Sequence, residues 1–208
     1  MTESISNHET RSASYHHGDL KASLVEAARI ILQRDGADAL SLRAIASEVG
    51  VSHTAPYSHF KNKKELIRAV IDMGFESLAD AMQEAADDSA NAKGSLALTY
   101  GAAYLQFAIS NPQLYRLMLG QIEARGLKKP SQTTYFSNDQ QTLKDPFFLL
   151  KNAFERTLED KSEINNRAIG AWALVHGMAA LLIEGYIDVP EGMDFRHFLA
   201  SVAPTKDM

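Results

Sequence analysis

The chain is 208 residues long, 45% hydrophobic and 23% charged, with a formal net charge of −5. That length buries a core without a metal or disulfide staple, and the absence of cysteine excludes disulfide frameworks, Cys-ligated zinc, iron–sulfur clusters and cysteine nucleophiles. The charge is uneven: residues 1–70 carry +1 and five of the seven histidines, whereas residues 71–208 carry −6, so an anionic partner is expected at the front.

Residues 1–18 are polar, without an apolar run, and read as a mobile arm rather than a signal peptide. Leu20, Leu24, Ala27, Ala28, Ile31 and Leu32 then form one helical stripe, with Asp19 as N-cap and Gly36 as the stop. Ser41 caps a short helix that ends at Gly50, and a third short helix is expected over His53–Phe60. A long helix follows over Lys63–Ala86, broken by 91–94, and another over Leu96–Ser110. Asn111-Pro112 ends that helix and opens a short one to about Gly120, because proline suits a first helical position. Residues 121–144 form the loosest stretch. Asp145-Pro146 opens a helix to about Glu159, Ser162 caps a long apolar helix to about Tyr186, and Phe195–Val202 is the last. No segment reads as a strand. The fold is expected to be all-α with about nine helices: an arm (1–18), a three-helix front (19–62) and a larger helical body (63–208).

The longest uncharged run, between Arg167 and Glu184, has 16 residues, which is short for a membrane span. A buried helix and a cytoplasmic location are expected, with no membrane partner.

Residues 41–60 read SLRAIASEVGVSHTAPYSHF. Two short helices that cross steeply need a small residue at the contact, which Ala46 supplies, and a left-handed turn residue, which Gly50 supplies. Leu42, Ile45, Val49, Val51 and Phe60 fit the inner faces. Ser52, His53, Thr54, Ser58 and His59 are left outside, and no acidic residue lies between Val49 and Lys64. The layout is that of a helix-turn-helix whose second helix enters a DNA major groove. A plain αα-corner has the same skeleton. The Lys61-Asn62-Lys63-Lys64 run, basic and at a helix start, favours DNA.

Residues 41–67 resemble the DNA-binding segment of the tetracycline-repressor (TetR) family through Ser41, Ile45-Ala46, Gly50-Val51-Ser52, Tyr57, His59-Phe60, Lys63 and Leu66. The body resembles a subgroup with a Trp-x-x-x-His-Gly motif, here Trp172 to Gly177. Tyr15–Leu20 and Asn111–Met118 also look like that subgroup. The resemblance implies that Tyr57, His59 and Lys63 grip phosphates, with Ser41 and Arg43 adding backbone contacts. Ser52, His53 and Thr54, with Ser58 beside them, are the candidates for the DNA face and its base edges. Pro56 stands where many members have Leu, and predicts a tightened or kinked first turn. Arg11 is a candidate for a minor groove or simply part of a tail, and His16-His17 offer too few ligands for a metal.

Two reading heads on a two-fold axis would read a palindromic operator, so a homodimer is expected. Ala168, Ala171, Val175, Ala179 and Leu182 form a small-to-medium stripe suited to pairing with a second copy, or to internal core. The family resemblance implies that the last long helices pair. Tyr100, Tyr104, Phe107 and Tyr115 are candidates to line a pocket for a small apolar or aromatic effector, together with Met118, Phe154, Trp172 and His176. Ordinary core has the same composition. No phosphate loop, nucleophile elbow or His-Glu-x-x-His is present, so a non-enzymatic regulator without cofactor or metal is expected, a repressor by family default.

Overall fold

The computed structural model describes residues 19–88, 95–119 and 145–203. Among them are eight α-helices: α1 (Leu20–Asp35), α2 (Leu42–Val49), α3 (Lys63–Asp88), α4 (Leu96–Ser110), α5 (Pro112–Leu119), α6 (Pro146–Glu155), α7 (Lys161–Ile183) and α8 (Phe195–Val202). Short 3-10 turns occupy Ala37–Ala39 and Ala55–Ser58. The expected arm, the break at 91–94 and the 121–144 stretch lie outside the described residues, as do Arg11, His16 and His17.

The helix starts follow side-chain chemistry. Asp19 Oδ1 accepts from Ala22 N at 2.9 Å, and Ser41 Oγ from Ala44 N at 3.1 Å. Asp145 Oδ1 accepts from Phe147 N and Phe148 N ahead of Pro146. At α7 the cap is Asp160, not Ser162: its Oδ1 accepts from Glu163 N at 2.8 Å, so the helix begins earlier than expected. It also ends earlier, because Gly185 turns left-handed and Tyr186 N donates to Leu181 O. Helix α6 stops at Glu155, short of Glu159.

Helix α7 has 23 residues, more than its uncharged run, and is by length and composition long and apolar enough to cross a membrane. Here one face is instead core. Ile164, Ala168, Ala171, Trp172, Val175, Met178 and Ala179 are buried, and α7 packs on α4 and α6.

One continuous core joins the front to the body. At the front it holds Leu24, Ala28, Ile31, Leu32, Ile45 and Phe60. Helix α3 enters it at Leu66 and Val70 and continues into the body through Leu78 and Met82. Helix α5 wedges against both α1 and α3. It approaches α3 at Gly74, where an added Cβ would lie 2.7 Å from Met118 Sδ and 3.2 Å from Leu114 Cδ1. The missing side chain is what lets the two helices close. Gly74→Val is therefore expected to cost about 1–3 kcal/mol by overpacking, seen as an earlier thermal unfolding transition. An unchanged transition would show that α5 does not close on α3 at this point.

Candidate functional site

The front carries an exposed polar surface built on a tight turn. Gly50 sits at φ 78°, ψ 29° and closes α2, its N–H directed to Ser47 O. The expected third α-helix is a 3-10 turn over Ala55–Ser58, with Ala55 N donating to Ser52 O and Tyr57 N to Thr54 O. Pro56 has no N–H, so an α-type bond from it to Ser52 O cannot form. Its ring is buried against the front's core, and the turn is tightened as its position predicts.

The turn leaves Ser52, His53, Thr54, Ser58 and His59 exposed, and Tyr57 is 60% exposed despite its ring. Ser52 and Thr54 hydroxyls are 3.1 Å apart, and Ser58 Oγ donates to Ala55 O at 2.7 Å. Ser58 is thus partly tied to its own backbone. Phe60 is core. Ser41 is half-buried, and its hydroxyl proton is still available after capping; Arg43 is exposed beside it.

At the start of α3, Asn62 Oδ1 accepts from Lys64 N and Glu65 N, and Glu65 Oε2 accepts from Lys61 N. Those amides are therefore occupied. Formal positive charge at this helix start is supplied by the side chains of Lys61, Lys63 and Lys64.

In the body, Tyr104, Tyr115, Trp172 and His176 form one aromatic cluster. Ring centroids are 5.4 Å apart for Tyr104–Trp172, 5.1 Å for Tyr104–His176 and 4.5 Å for Trp172–His176. The Tyr104 hydroxyl donates to that of Tyr115 at 3.2 Å, which donates to His176 O at 3.3 Å. His176 Nδ1 lies 2.9 Å from Trp172 O. A carbonyl only accepts, so Nδ1 carries the proton and Nε2 presents a lone pair. Burial holds the imidazole pKa down to about 4, opposed by that backbone bond. Burial also raises the Tyr115 hydroxyl, partly offset by its bond with Tyr104.

Two spaces adjoin the cluster. A central cavity among α3, α4, α6, α7 and α8 touches Tyr100, Tyr104 and Trp172, with Met82 and Leu199 opposite, but has only about 10 Å³. That is room for one water at most. An open cleft of about 530 Å³ lies between α5 and α7, over Tyr115 and His176. Phe107, Met118 and Phe154 are buried and line neither space.

The stripe Ala168, Ala171, Val175 and Ala179 is turned into the chain's own core, with Leu182 half-buried behind it. It is not a free pairing face. The exposed side of α7 carries Ile169, Gly170, Ala173, Gly177, Ala180 and Leu181, a second small-residue stripe that the apolar sequence does not distinguish from the first. The mid-helix glycines were the available signal.

Comparison with known proteins agrees with this anatomy. Residues 24–70 match the family described as bacterial regulatory proteins, tetR family, and residues 97–202 match the tetracyclin repressor-like C-terminal domain. The chain belongs to the TetR family of transcriptional regulators, a family of DNA-binding proteins and not of enzymes. It is 28% identical over 190 residues to the HTH-type regulator YobS of Bacillus subtilis, covering 86% of this chain and 90% of that one. It is 31% identical over 102 residues to the HTH-type regulator Rv1816 of Mycobacterium tuberculosis. That match covers 49% of this chain and 44% of Rv1816, less than half of the mycobacterial protein. Among solved structures, a Rhodococcus sp. RHA1 protein of unknown function is similar with a TM-score of 0.66 and 25% identity, over 90% of this chain and 93% of its own. The TetR-family regulator PfmR of Thermus thermophilus shares the fold at a TM-score of 0.52 and 16% identity, over 86% and 93%.

The neutral His176 has a consequence for stability. The unfolded chain protonates this residue near its ordinary value, while the folded chain resists until about pH 4. Stability is therefore lost as pH falls through that window, by up to about 3 kcal/mol from this group. Chemical unfolding of wild type and His176→Gln between pH 7.5 and 4.5 checks it: the wild type is expected to lose stability more steeply. Parallel curves would place the imidazole in water.

Proposed function

We propose that this chain is a dimeric repressor of the subgroup with the Trp-x-x-x-His-Gly motif, binding a palindromic operator in the cytoplasm and released by a small-molecule effector. Residues 19–62 are the reading head and 63–208 the regulatory and pairing body, behind an arm at 1–18. The observation that carries the reading is the surface of residues 52–64, where hydroxyls, imidazoles and lysines stand out from a buried proline and phenylalanine without an acidic neighbour before Glu65.

Phosphate grip falls to Tyr57, His59 and Lys63, assisted by Ser41 and Arg43. Short side chains at Ser52, His53 and Thr54 face the bases. These three lead into the 3-10 turn over Ala55–Ser58, with Thr54 at its start, and their side chains are short or singly polar. Specificity then depends on two heads acting together.

Pairing of two copies is supported by Gly170 and Gly177. Each stands in the interior of α7, where glycine costs about 1 kcal/mol relative to alanine. An added Cβ at either would meet nothing within 4 Å inside this chain. Close approach of a second α7 accounts for both, with Ala173 on the same face.

Selection of random duplexes on the purified protein is expected to enrich a palindrome. Retention without enrichment would reduce the reading to non-specific binding, and no retention by folded protein would overturn it. Lys63→Ala is expected to weaken binding evenly across sequences and to flatten the log-affinity against log-salt slope by about 0.9. Gly177→Leu is expected to leave the chain folded and turn it monomeric in sedimentation. A dimer that persists would move the interface elsewhere.

A further inference from the structure

The cleft between α5 and α7 has a chemistry of its own. Its floor is the edge of His176, half-buried, whose Nε2 accepts no hydrogen bond from any described residue. Its walls are Leu119 of α5 and Ala180 and Ile183 of α7, with the Tyr115 ring beside them. At its rim Arg116 Nε donates to Glu184 Oε1 at 2.9 Å, so the cation and the anion that line it among the described residues compensate each other.

We infer that this cleft, rather than the central cavity, is the effector site, and that it takes an uncharged apolar molecule bearing one hydroxyl, of phenol or alcohol type, which donates to His176 Nε2. The inference rests on the regulator reading and names the ligand class for it. The volume decides between the two spaces: about 530 Å³ suits a small ligand, whereas about 10 Å³ does not. The floor decides the chemistry. With its proton held on Nδ1, His176 offers a lone pair and no donor, which repels a carboxylate and satisfies an O–H. An organic cation would find no unpaired anion, because Glu184 already holds Arg116.

The cleft is also placed to report. The bonds from Tyr115 to His176 O and from Arg116 to Glu184 tie α5 to α7 across it. Helix α5 in turn packs on α1 and on α3 at Gly74, and Gln33 of α1 donates to Ser110 O, beside the start of α5. A molecule seated between α5 and α7 bears on the support of the reading head.

The test uses 4-butylphenol, its methyl ether 4-butylanisole, and 4-butylbenzoate, titrated calorimetrically into the full-length protein. Trp172 fluorescence reports binding near the aromatic cluster, since it is the one tryptophan in the chain and its ring centroid lies 4.5 Å from that of His176; the His176→Phe variant separates the cleft from the central cavity, which His176 does not line. The phenol is expected to bind saturably with a change in Trp172 emission, and the ether and benzoate about tenfold or more weakly, because they leave Nε2 unpaired or face it with an anion. His176→Phe is expected to bring the phenol down to the level of the ether while leaving the ether unchanged. Equal affinities for phenol and ether, or a preference that survives His176→Phe, overturn the assignment. If that variant does not fold, the ¹⁵N shift of His176 Nε2 in wild-type protein decides: it moves with the phenol and not with the ether, or the assignment falls. Retention of the selected operator is measured on the same samples. Loss of operator binding without any ligand overturns the regulator reading alone, and an operator affinity unaffected by bound phenol overturns the effector role of the cleft.

Discussion

The structure depends on α3 belonging to two packing groups at once. Its first turns, at Leu66, Ile67 and Val70, complete the core that α1, α2 and Phe60 begin. Its later turns, at Leu78, Ala79 and Met82, lie in the core of the body. A helix of 26 residues is about 39 Å long, and its burial in both regions couples the position of the front to the packing of the body. Linkage makes that coupling reciprocal: whatever a bound molecule does to DNA affinity, DNA does to the affinity for that molecule.

Much of the fold was legible because local chemistry and periodicity agree. Asp19, Ser41 and Asp145 precede apolar periodic runs and cap them, and Gly50 takes the one conformation its turn requires. Local chemistry is ambiguous where two residues or two faces satisfy the same rule. Asp160 and Ser162 are both competent caps two residues apart, and only the path of the incoming chain selects Asp160. Helix α7 is apolar all round, so two small-residue stripes share it. The one that faces inward is chosen by α4 and α6, which are distant in sequence. At the third helix of the front, Pro56 announces the tightening in the sequence itself. Propensity and pattern describe an α-helix there, but Pro56 deletes the bond that would start it, and its ring is held in the core, so the chain keeps the tighter turn.

The candidate site shows the same division. Side chains on the outside of residues 52–64 were legible because an exposed turn in a basic, acid-free segment has little competing explanation. The aromatic residues of the body were not separable into core and pocket, since burial of a ring and lining of a pocket demand the same composition. Geometry separates them. Phe107, Met118 and Phe154 fill space, Tyr100 and Tyr104 border a cavity of one water, and Tyr115 and His176 open to a cleft. The distinguishing feature is not aromatic character but an unused acceptor, and hydrogen-bond bookkeeping finds it where composition does not.

To drive a regulator from almost wholly DNA-competent to almost wholly released takes about 5.5 kcal/mol of differential binding. One hydrogen bond supplies a fraction of that, about 0.5–1.5 kcal/mol net. The larger share has to come from apolar surface that is covered in one state and uncovered in the other. The walls of the cleft belong to two helices held together at its edges by two polar contacts, one of them an exposed ion pair worth about 0–1 kcal/mol. Parting α5 from α7 is therefore cheap at the rim. The cost lies where α5 packs on α1, α3 and α4, the close approach at Gly74 among them, and a displacement of α5 would be felt by the front through α1 and α3.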